Sequence, residues 1–182
     1  WSSDVCSSDL IPGQVRGRID ETAQMALRLD AAIAEVPLPN GQRSDAFARA
    51  ERAAWEETGE AYRPALLADV PLIPAHTALL TTTVYHGSNP PGIVDIVPSE
   101  SPRPAGWTAA LVIVDGLIGQ AVDDGICQRF SHVPGMPELL LRAVSYRRHV
   151  NDLHSASRSN TRSHIERVEQ HLVSRASAIL ER

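Results

Sequence analysis

The chain has 182 residues, of which 43% are hydrophobic and only 4% aromatic, so it can bury a core without disulfides, built from aliphatic residues and alanine. All 17 cationic residues are Arg, which excludes enzymes that depend on a Walker-A, Schiff-base or kinase-type lysine. The net charge is −5, but residues 137–182 hold 8 Arg against 5 Asp and Glu, which argues against nucleic-acid binding over the whole surface and leaves a local basic part.

The two ends of the sequence stand apart from the rest. Residues 1–10, WSSDVCSSDL, resemble translated sequencing-adapter read-through, so we expect an unstructured artefact there. Without Cys6, Cys127 is the only cysteine, which excludes an internal disulfide and a multi-Cys zinc site. The last residues stop inside an apolar repeat without a helix stop signal, so we expect the natural chain to continue as a longer protein. The longest apolar run, 109–114, is too short to span a membrane, and we expect a cytoplasmic protein.

Residues 11–63 are predicted to form a hairpin of two helices. The first covers about 14–36, because apolar positions recur there at alternating steps of four and three. These positions are Val15, Ile19, Thr22, Ala26, Leu29, Ile33 and Val36. The second covers 44–62, with Ser44 as its N-cap. Its apolar face is weak, which favours close packing against a neighbour, and consists of Phe47, Ala50, Ala54 and Ala61.

Residues 64–106 are predicted to be a proline-rich connector. Eight prolines lie between Pro64 and Pro104, without helical periodicity. Two stretches, 79–85 and 93–97, are rich in β-branched residues, and the sequence leaves open whether they pair as one short hairpin. The stretch 98–104 is expected to be an exposed loop.

Residues 107–182 are predicted to form a C-terminal segment of three helices, over 107–124, 137–154 and 162–182. Their apolar stripes are Trp107, Leu111, Val114, Ile118 and Ala121; Leu139, Ala143, Tyr146, Val150 and Leu153; and Ile165, Val168, Leu172, Ala176 and Ile179. The twelve residues between Leu153 and Ile165 rotate the stripe by about 120°, so the last two stripes cannot share one straight helix. The predicted fold is all-α, a bundle of about five helices.

The C-terminal segment carries a cluster of arginines. Six Arg fall within a 26-residue window that holds only two carboxylates. A turn between the last two helices would bring four of their guanidinium groups close enough to meet phosphates, namely those of Arg147, Arg148, Arg158 and Arg162. The alternative is an ordinary solvated helix surface.

A second candidate is the segment Arg52-Ala53-Ala54-Trp55-Glu56-Glu57-Thr58-Gly59, which resembles the core of a Nudix box. In that family, paired glutamates on a helix hold the Mg²⁺ that bridges a diphosphate. The resemblance therefore implies Glu56 and Glu57 as metal ligands, with Arg52 as their orienting partner. The segment departs from the family pattern at Ala53 and Glu60, and the alternative is a solvated helix face that ends at a glycine.

A third candidate is Tyr85-His86-Gly87-Ser88, which resembles the strand-borne His-Gly of ADP-ribosyltransferases. The resemblance implies that His86 holds a nicotinamide ribose. That family also needs several further strands, whereas the sequence after Trp107 predicts helix. The alternative is a histidine beside a turn.

The histidines do not have the spacing of a zinc site, and no cofactor or metal is expected. Zinc ligands on one helix lie three or four residues apart. His164 and His171 are seven apart, about 10.5 Å along a helix, which is too far for one ion.

The Gly13-Gln14-Val15-Arg16 helix start, the proline-rich middle and the helical tail resemble uncharacterised helical proteins of actinobacterial phages and prophages. In some of these a zinc knuckle precedes the first helix, at the place that residues 1–10 occupy here. The resemblance implies a non-enzymatic helical interaction protein. We expect it to associate with nucleic acid through the Arg cluster, or with a protein partner or a second copy through its helices. The alternative hypothesis is an ADP-ribosyltransferase-like or Nudix-like enzyme.

Overall fold

The computed structural model describes residues 18–34, 45–61, 69–86, 88–153 and 159–180. About 61% of these residues are helical. The described helices are α1 (Ile19–Ile33), α2 (Ala46–Ala61), α3 (Trp107–Ile118), the short α4 (Ile126–Arg129), α5 (Met136–Asp152) and α6 (Ser159–Leu180). No described helix has both the length and the apolar character needed to cross a membrane.

Two small antiparallel sheets lie between α2 and α3 in the sequence. Strand β1 (Leu72–Ile73) pairs with β4 (Arg103–Pro104), and β2 (Thr83–Val84) pairs with β3 (Gly92–Ile93). The helix-rich character is therefore confirmed, but the fold is not purely all-α.

The first helix packs mainly against α3. Ile19, Ala23 and Ala26 are fully buried, as the α1 periodicity predicts for two of them. Gly116 of α3 allows the close approach, because a Cβ there would lie 2.7 Å from Ile19 Cγ2. The predicted stripe positions Val15 and Val36 lie outside the described residues.

A carboxylate on α1 caps the start of α3. Gly106, the N-cap residue, has a φ of 97°, and its N–H donates to Asp30 Oδ2 at 2.9 Å. The Thr108 hydroxyl donates to Asp30 Oδ1 at 2.7 Å. Burial raises the pKa of Asp30 to about 6, although these two hydrogen bonds lower it.

Helix α3 is the centre of the core and is buried on almost every side. The stripe residues Trp107, Leu111 and Val114 are buried as expected, and burial extends beyond the stripe, because residues 107–114 are all buried. The helix also ends before residue 124, because Gln120 takes a φ of 54° and the N–H of Ala121 bonds the carbonyl of Gly116 instead of continuing the helical pattern.

The second helix packs mainly against α5 and starts differently from the prediction. Asp45 caps it, because its Oδ1 accepts the N–H of Ala48 at 2.8 Å; Ser44 lies outside the described residues. Ala50 and Ala54 are buried as expected, but Phe47 is exposed.

Helices α5 and α6 pack against each other and against α3. Most residues of their predicted apolar stripes are buried in the core. Leu139, Ala143 and Tyr146 of α5 are buried, and so are Ile165, Val168 and Leu172 of α6. Leu153, just after α5, is exposed.

The proline-rich connector forms an interrupted ribbon that runs from residue 72 to residue 104. The hairpin that the sequence allowed is present, with Thr83 opposite Ile93, and a further bridge joins His76 to Pro98. The expectation of an exposed loop over 98–104 is wrong. Arg103 is buried there because its guanidinium pairs with a carboxylate inside the protein.

Candidate functional site

The predicted arginine cluster divides into an inward and an outward part. Arg147 points inward from α5. Its Nε and Nη2 donate to the two oxygens of Asp115 at 2.6 and 2.7 Å, and Nη2 also donates to the carbonyl of Thr77 at 3.1 Å. This bidentate pair ties α5 to α3 and to the ribbon, so Arg147 has a structural position rather than an exposed one.

Arg148 and Arg162 form the outward part, which we call the basic edge. The Arg162 side chain is 58% exposed, and its Nη2 lies 2.7 Å from Asp152 Oδ1, so the pair joins the end of α5 to the beginning of α6. Asp152 follows Arg148 by one helical turn, on the same face of α5. The two guanidinium groups are thus brought to one edge, while Arg158 lies outside the described residues.

Acidic side chains surround the basic edge. Arg148, 38% exposed, donates from Nη2 to Glu57 Oε1 at 2.6 Å. Glu57 Oε2 also lies 2.7 Å from His149 Nε2 and accepts the Ser145 hydroxyl at 3.2 Å. Partial burial would raise the pKa of Glu57, but the hydrogen bonds from Arg148 and His149 prevail and lower it to about 2. Glu57 is therefore ionised at neutral pH and competes with any other anion for Arg148.

A buried network around Trp55, which the sequence analysis missed, fixes α2 in place. The guanidinium carbons of Arg103 and Arg142 lie 4.8 and 4.3 Å from the centre of its ring system. Arg142 donates to Glu138 Oε1 at 2.8 Å, and Arg103 donates to Glu51 Oε1 at 2.7 Å. All four charged side chains are at least nine-tenths buried.

The same network reaches the backbone of α2. Arg142 Nη1 donates to the carbonyl of Trp55 at 3.2 Å and to the Thr58 hydroxyl at 3.1 Å. Since Glu138 and Arg142 are spaced i, i+4 on one helix, their pairing is a signal that sequence inspection can find. What the sequence does not show is that the pair is inside the protein.

Arg52 and Glu57 of the Nudix-like segment have partners other than those that the resemblance implies. Arg52 pairs with Glu100 at 2.7 Å, Glu56 is exposed, and Glu57 belongs to the cluster with Arg148 and His149. Among the described residues, no group of three or more His, Cys, Asp or Glu has the arrangement of a metal site. The structure thus gives Glu57 ion-pair partners on α5.

The ADP-ribosyltransferase-like segment lies at the end of β2. His86 is exposed, and its Nδ1 is 3.4 Å from Asn89 Nδ2. The preceding Tyr85 shares a 2.6 Å hydrogen bond with the Thr22 hydroxyl. These contacts place His86 beside a turn and tie the hairpin to α1.

Comparisons with protein-family models, with curated proteins and with solved structures find no match for this chain.

Proposed function

We propose that the chain is a non-enzymatic helical interaction protein that contacts nucleic acid weakly through the basic edge. The observation that carries the proposal is the ion pair between Arg162 and Asp152, which brings the end of α5 and the start of α6 together. The guanidinium group of Arg162 is exposed, and that of Arg148, one turn before Asp152, is partly exposed, so both can reach a phosphate backbone.

The carboxylates at the basic edge set the strength of this contact. Exposed ion pairs of this type contribute about 0 to 1 kcal/mol, so a phosphate can replace Asp152 or Glu57 at small cost. The negative charges that remain nearby keep the affinity low. We therefore expect a dissociation constant on the order of micromolar or weaker at physiological salt, without sequence preference.

The number of contacts follows from which of the four predicted arginines have an at least partly exposed guanidinium group. Arg148 and Arg162 supply two phosphate contacts, which correspond to a slope of about −1.8 for log K against log salt on double-stranded DNA. Arg158 remains a predicted contact that would add about −0.9. Arg147 is not counted, since its guanidinium is held by Asp115.

The test is fluorescence anisotropy of a labelled duplex over a salt series. Arg162→Ala should weaken binding and reduce the slope by about 0.9. Asp152→Asn should strengthen binding, because it frees the Arg162 guanidinium without removing it. Arg28→Ala, which removes an exposed arginine on α1, is the matched control and should leave the slope unchanged. Absence of binding at low salt, or equal slopes for all variants, would overturn the proposal.

A further inference from the structure

His76 is a buried histidine in the middle of the proline-rich ribbon. The residue is 1% exposed and lies opposite Pro98 in the bridge that joins the two sides of the ribbon. Its backbone N–H donates to the hydroxyl oxygen of Thr108 at 3.1 Å, which fixes it against α3. A titratable ring is therefore held inside the protein at the place where the ribbon lies on the helical core.

The hydrogen bonds of the His76 ring determine its protonation state. Nδ1 accepts the backbone N–H of Ala78 at 3.1 Å, and since an amide N–H can only donate, Nδ1 carries no proton. Nε2 lies 2.9 Å from the carbonyl oxygen of Asp95, on the opposite side of the ribbon, so Nε2 carries the proton and donates it. Thr82 Oγ1, at 3.2 Å from Nε2, is a second acceptor. The neutral ring thus joins the turn at 78–82 to the segment 94–97.

A second proton on the ring is incompatible with these hydrogen bonds. The proton has to go to Nδ1, where it would face the N–H of Ala78, and two donors cannot bond. Burial lowers the pKa of His76 below its usual value of 6.5, although the carbonyl and the charge of Asp95 raise it. The stability of the closed ribbon is therefore complete above about pH 6.5 and is lost as the pH falls below that value.

Charged groups lie around His76 on the elements packed against it. They are Asp95 on the opposite side of the ribbon, Asp30 of α1, Asp115 of α3 and Arg147 of α5. Asp30 is linked to the His76 backbone through Thr108, and Arg147 binds the carbonyl of Thr77 and pairs with Asp115. The charge of Asp95, in contrast, acts on the ring itself, and this residue is exposed. A protonated ring can therefore move toward the Asp95 carboxylate.

We propose that His76 is an acid-sensitive latch that keeps the ribbon closed at neutral pH and opens it locally when the ring is protonated. The ring then leaves the N–H of Ala78, turns toward Asp95 and releases the turn at 78–82. The hydrogen bond from the Val94 N–H to the Thr82 carbonyl, which ties this turn to the opposite side, is lost with it. The helical core stays folded, because protonation of Asp30 has the opposite sign and favours the folded state.

The first test is amide hydrogen exchange of the full chain, measured by NMR as protection factors between pH 7 and pH 5. The amides of Ala78 and Val94 should lose up to about fivefold in protection between pH 6.5 and pH 5.5, the limit for one proton that the closed ribbon excludes. The amides of Val112 in α3 and Val144 in α5 should keep their protection. In the same samples, ring ¹⁵N shifts should show an unprotonated Nδ1 at pH 7 that gains its proton below pH 6.5.

The second test separates the latch from the general effect of acid. In His76→Asn, the side-chain oxygen can accept the N–H two residues on, so the turn still forms, but this side chain does not titrate. Protection of Ala78 should then be nearly independent of pH. His86→Asn changes an exposed histidine at the end of β2 and is the matched control, with the wild-type response expected.

Three results would contradict the latch. The first is a wild-type pH response in His76→Asn, and the second is constant protection of Ala78 and Val94 in the wild type over the whole pH range. The third is a protonated Nδ1 at pH 7. The last two are measured on the wild type alone, so they decide the question even where the variant does not fold.

Discussion

Two helix pairings link the N-terminal part of the protein to the rest, and they differ in how far they depend on charged side chains. Helix α1 lies against α3 through small apolar side chains, with Ile19, Ala23 and Ala26 fully buried. Helix α2 lies against α5 through charged side chains, where Arg142 stacks on Trp55 and pairs with Glu138. The first pairing rests on close contact between helices and the second on hydrogen bonds with fixed directions.

The difference separates contacts that stabilise the fold from contacts that orient a helix. Apolar burial is favourable and non-directional, so it tolerates small rotations of a helix. A buried ion pair gains little net stability over apolar residues of equal volume, but breaking it is costly. We infer that the α1–α3 pairing contributes to stability mainly through apolar burial and that the α2–α5 network fixes the position of α2.

The largest effect is expected from a charge placed in the apolar core. Leu111→Asp puts a carboxylate at a position of α3 that is 1% exposed, and we expect a loss of about 4 kcal/mol or more in the free energy of unfolding. Val94→Asp is the control at a 67% exposed site, where the change should be within about 0.5 kcal/mol. Denaturant unfolding measures both, and an equal effect at the two sites would contradict the burial of α3.

The next largest loss of stability is expected from breaking the buried ion pair at the contact between α2 and α5. Arg142→Ala leaves Glu138 buried without a counter-ion, and we expect a loss of about 3 to 5 kcal/mol. The double variant Arg142→Met/Glu138→Leu removes both charges at similar volume and should regain most of that loss. In the double variant, hydrogen exchange of α2 amides should be faster than in the wild type if the network fixes α2. A single variant with wild-type stability, or unchanged exchange in the double variant, would count against this role.

The apolar contacts of α1 could be predicted from the sequence, and the buried polar contacts could not. The α1 periodicity identified Ile19, Thr22 and Ala26 as buried, because helix amphipathicity is a local pattern. Asp30 and Arg103 are buried although both are charged, since their partners lie 76 and 52 residues away in sequence. Pattern rules assign charged residues to the surface, and the prolines of 98–104 predict an exposed loop around Arg103.

The candidate site shows the same limit of prediction from sequence patterns. Sequence spacing identified the arginines and the turn between the last two helices, and the ion pair of Arg162 with Asp152 agrees with that geometry. The sequence spacing did not distinguish Arg147, which points to Asp115, from its neighbour Arg148, which points outward. Adjacent residues on a helix differ by about 100° in direction, so the assignment depended on knowing where the core lies.

The pH dependence of the free energy of unfolding distinguishes the contribution of Asp30 from that of the apolar contacts around it. Because its pKa is raised from 3.8 to about 6, the folded state prefers the neutral carboxyl group. This preference stabilises the folded state fully below about pH 4 and is lost as the pH rises through 6. The loss in the free energy of unfolding is about 3 kcal/mol. Asp30→Asn keeps the acceptor for the N–H of Gly106 but cannot ionise, so it should lack this part of the pH dependence.

The measurement for Asp30 is the difference in unfolding free energy between the wild type and Asp30→Asn from pH 4 to pH 7. Taking the difference removes contributions shared by both proteins, such as His76, whose pKa burial lowers and whose slope has the opposite sign. We expect the wild type to lose stability relative to the variant as the pH rises. Parallel pH curves would show that Asp30 is not a titrating cap of α3.

The smallest effect tests how closely α1 and α3 approach. Gly116→Ala gains about 1 kcal/mol in helix propensity, but the new Cβ would lie 2.7 Å from Ile19 Cγ2 and 3.1 Å from Val122 Cγ1. Overpacking of this type costs about 1 to 3 kcal/mol, so we expect a net loss on the order of 1 kcal/mol in thermal or denaturant unfolding. In an Ile19→Ala background the nearest contact is gone, and the same substitution should become neutral or stabilising. A loss of equal size in both backgrounds would mean that the distance between the two helices is not set by Gly116 and Ile19.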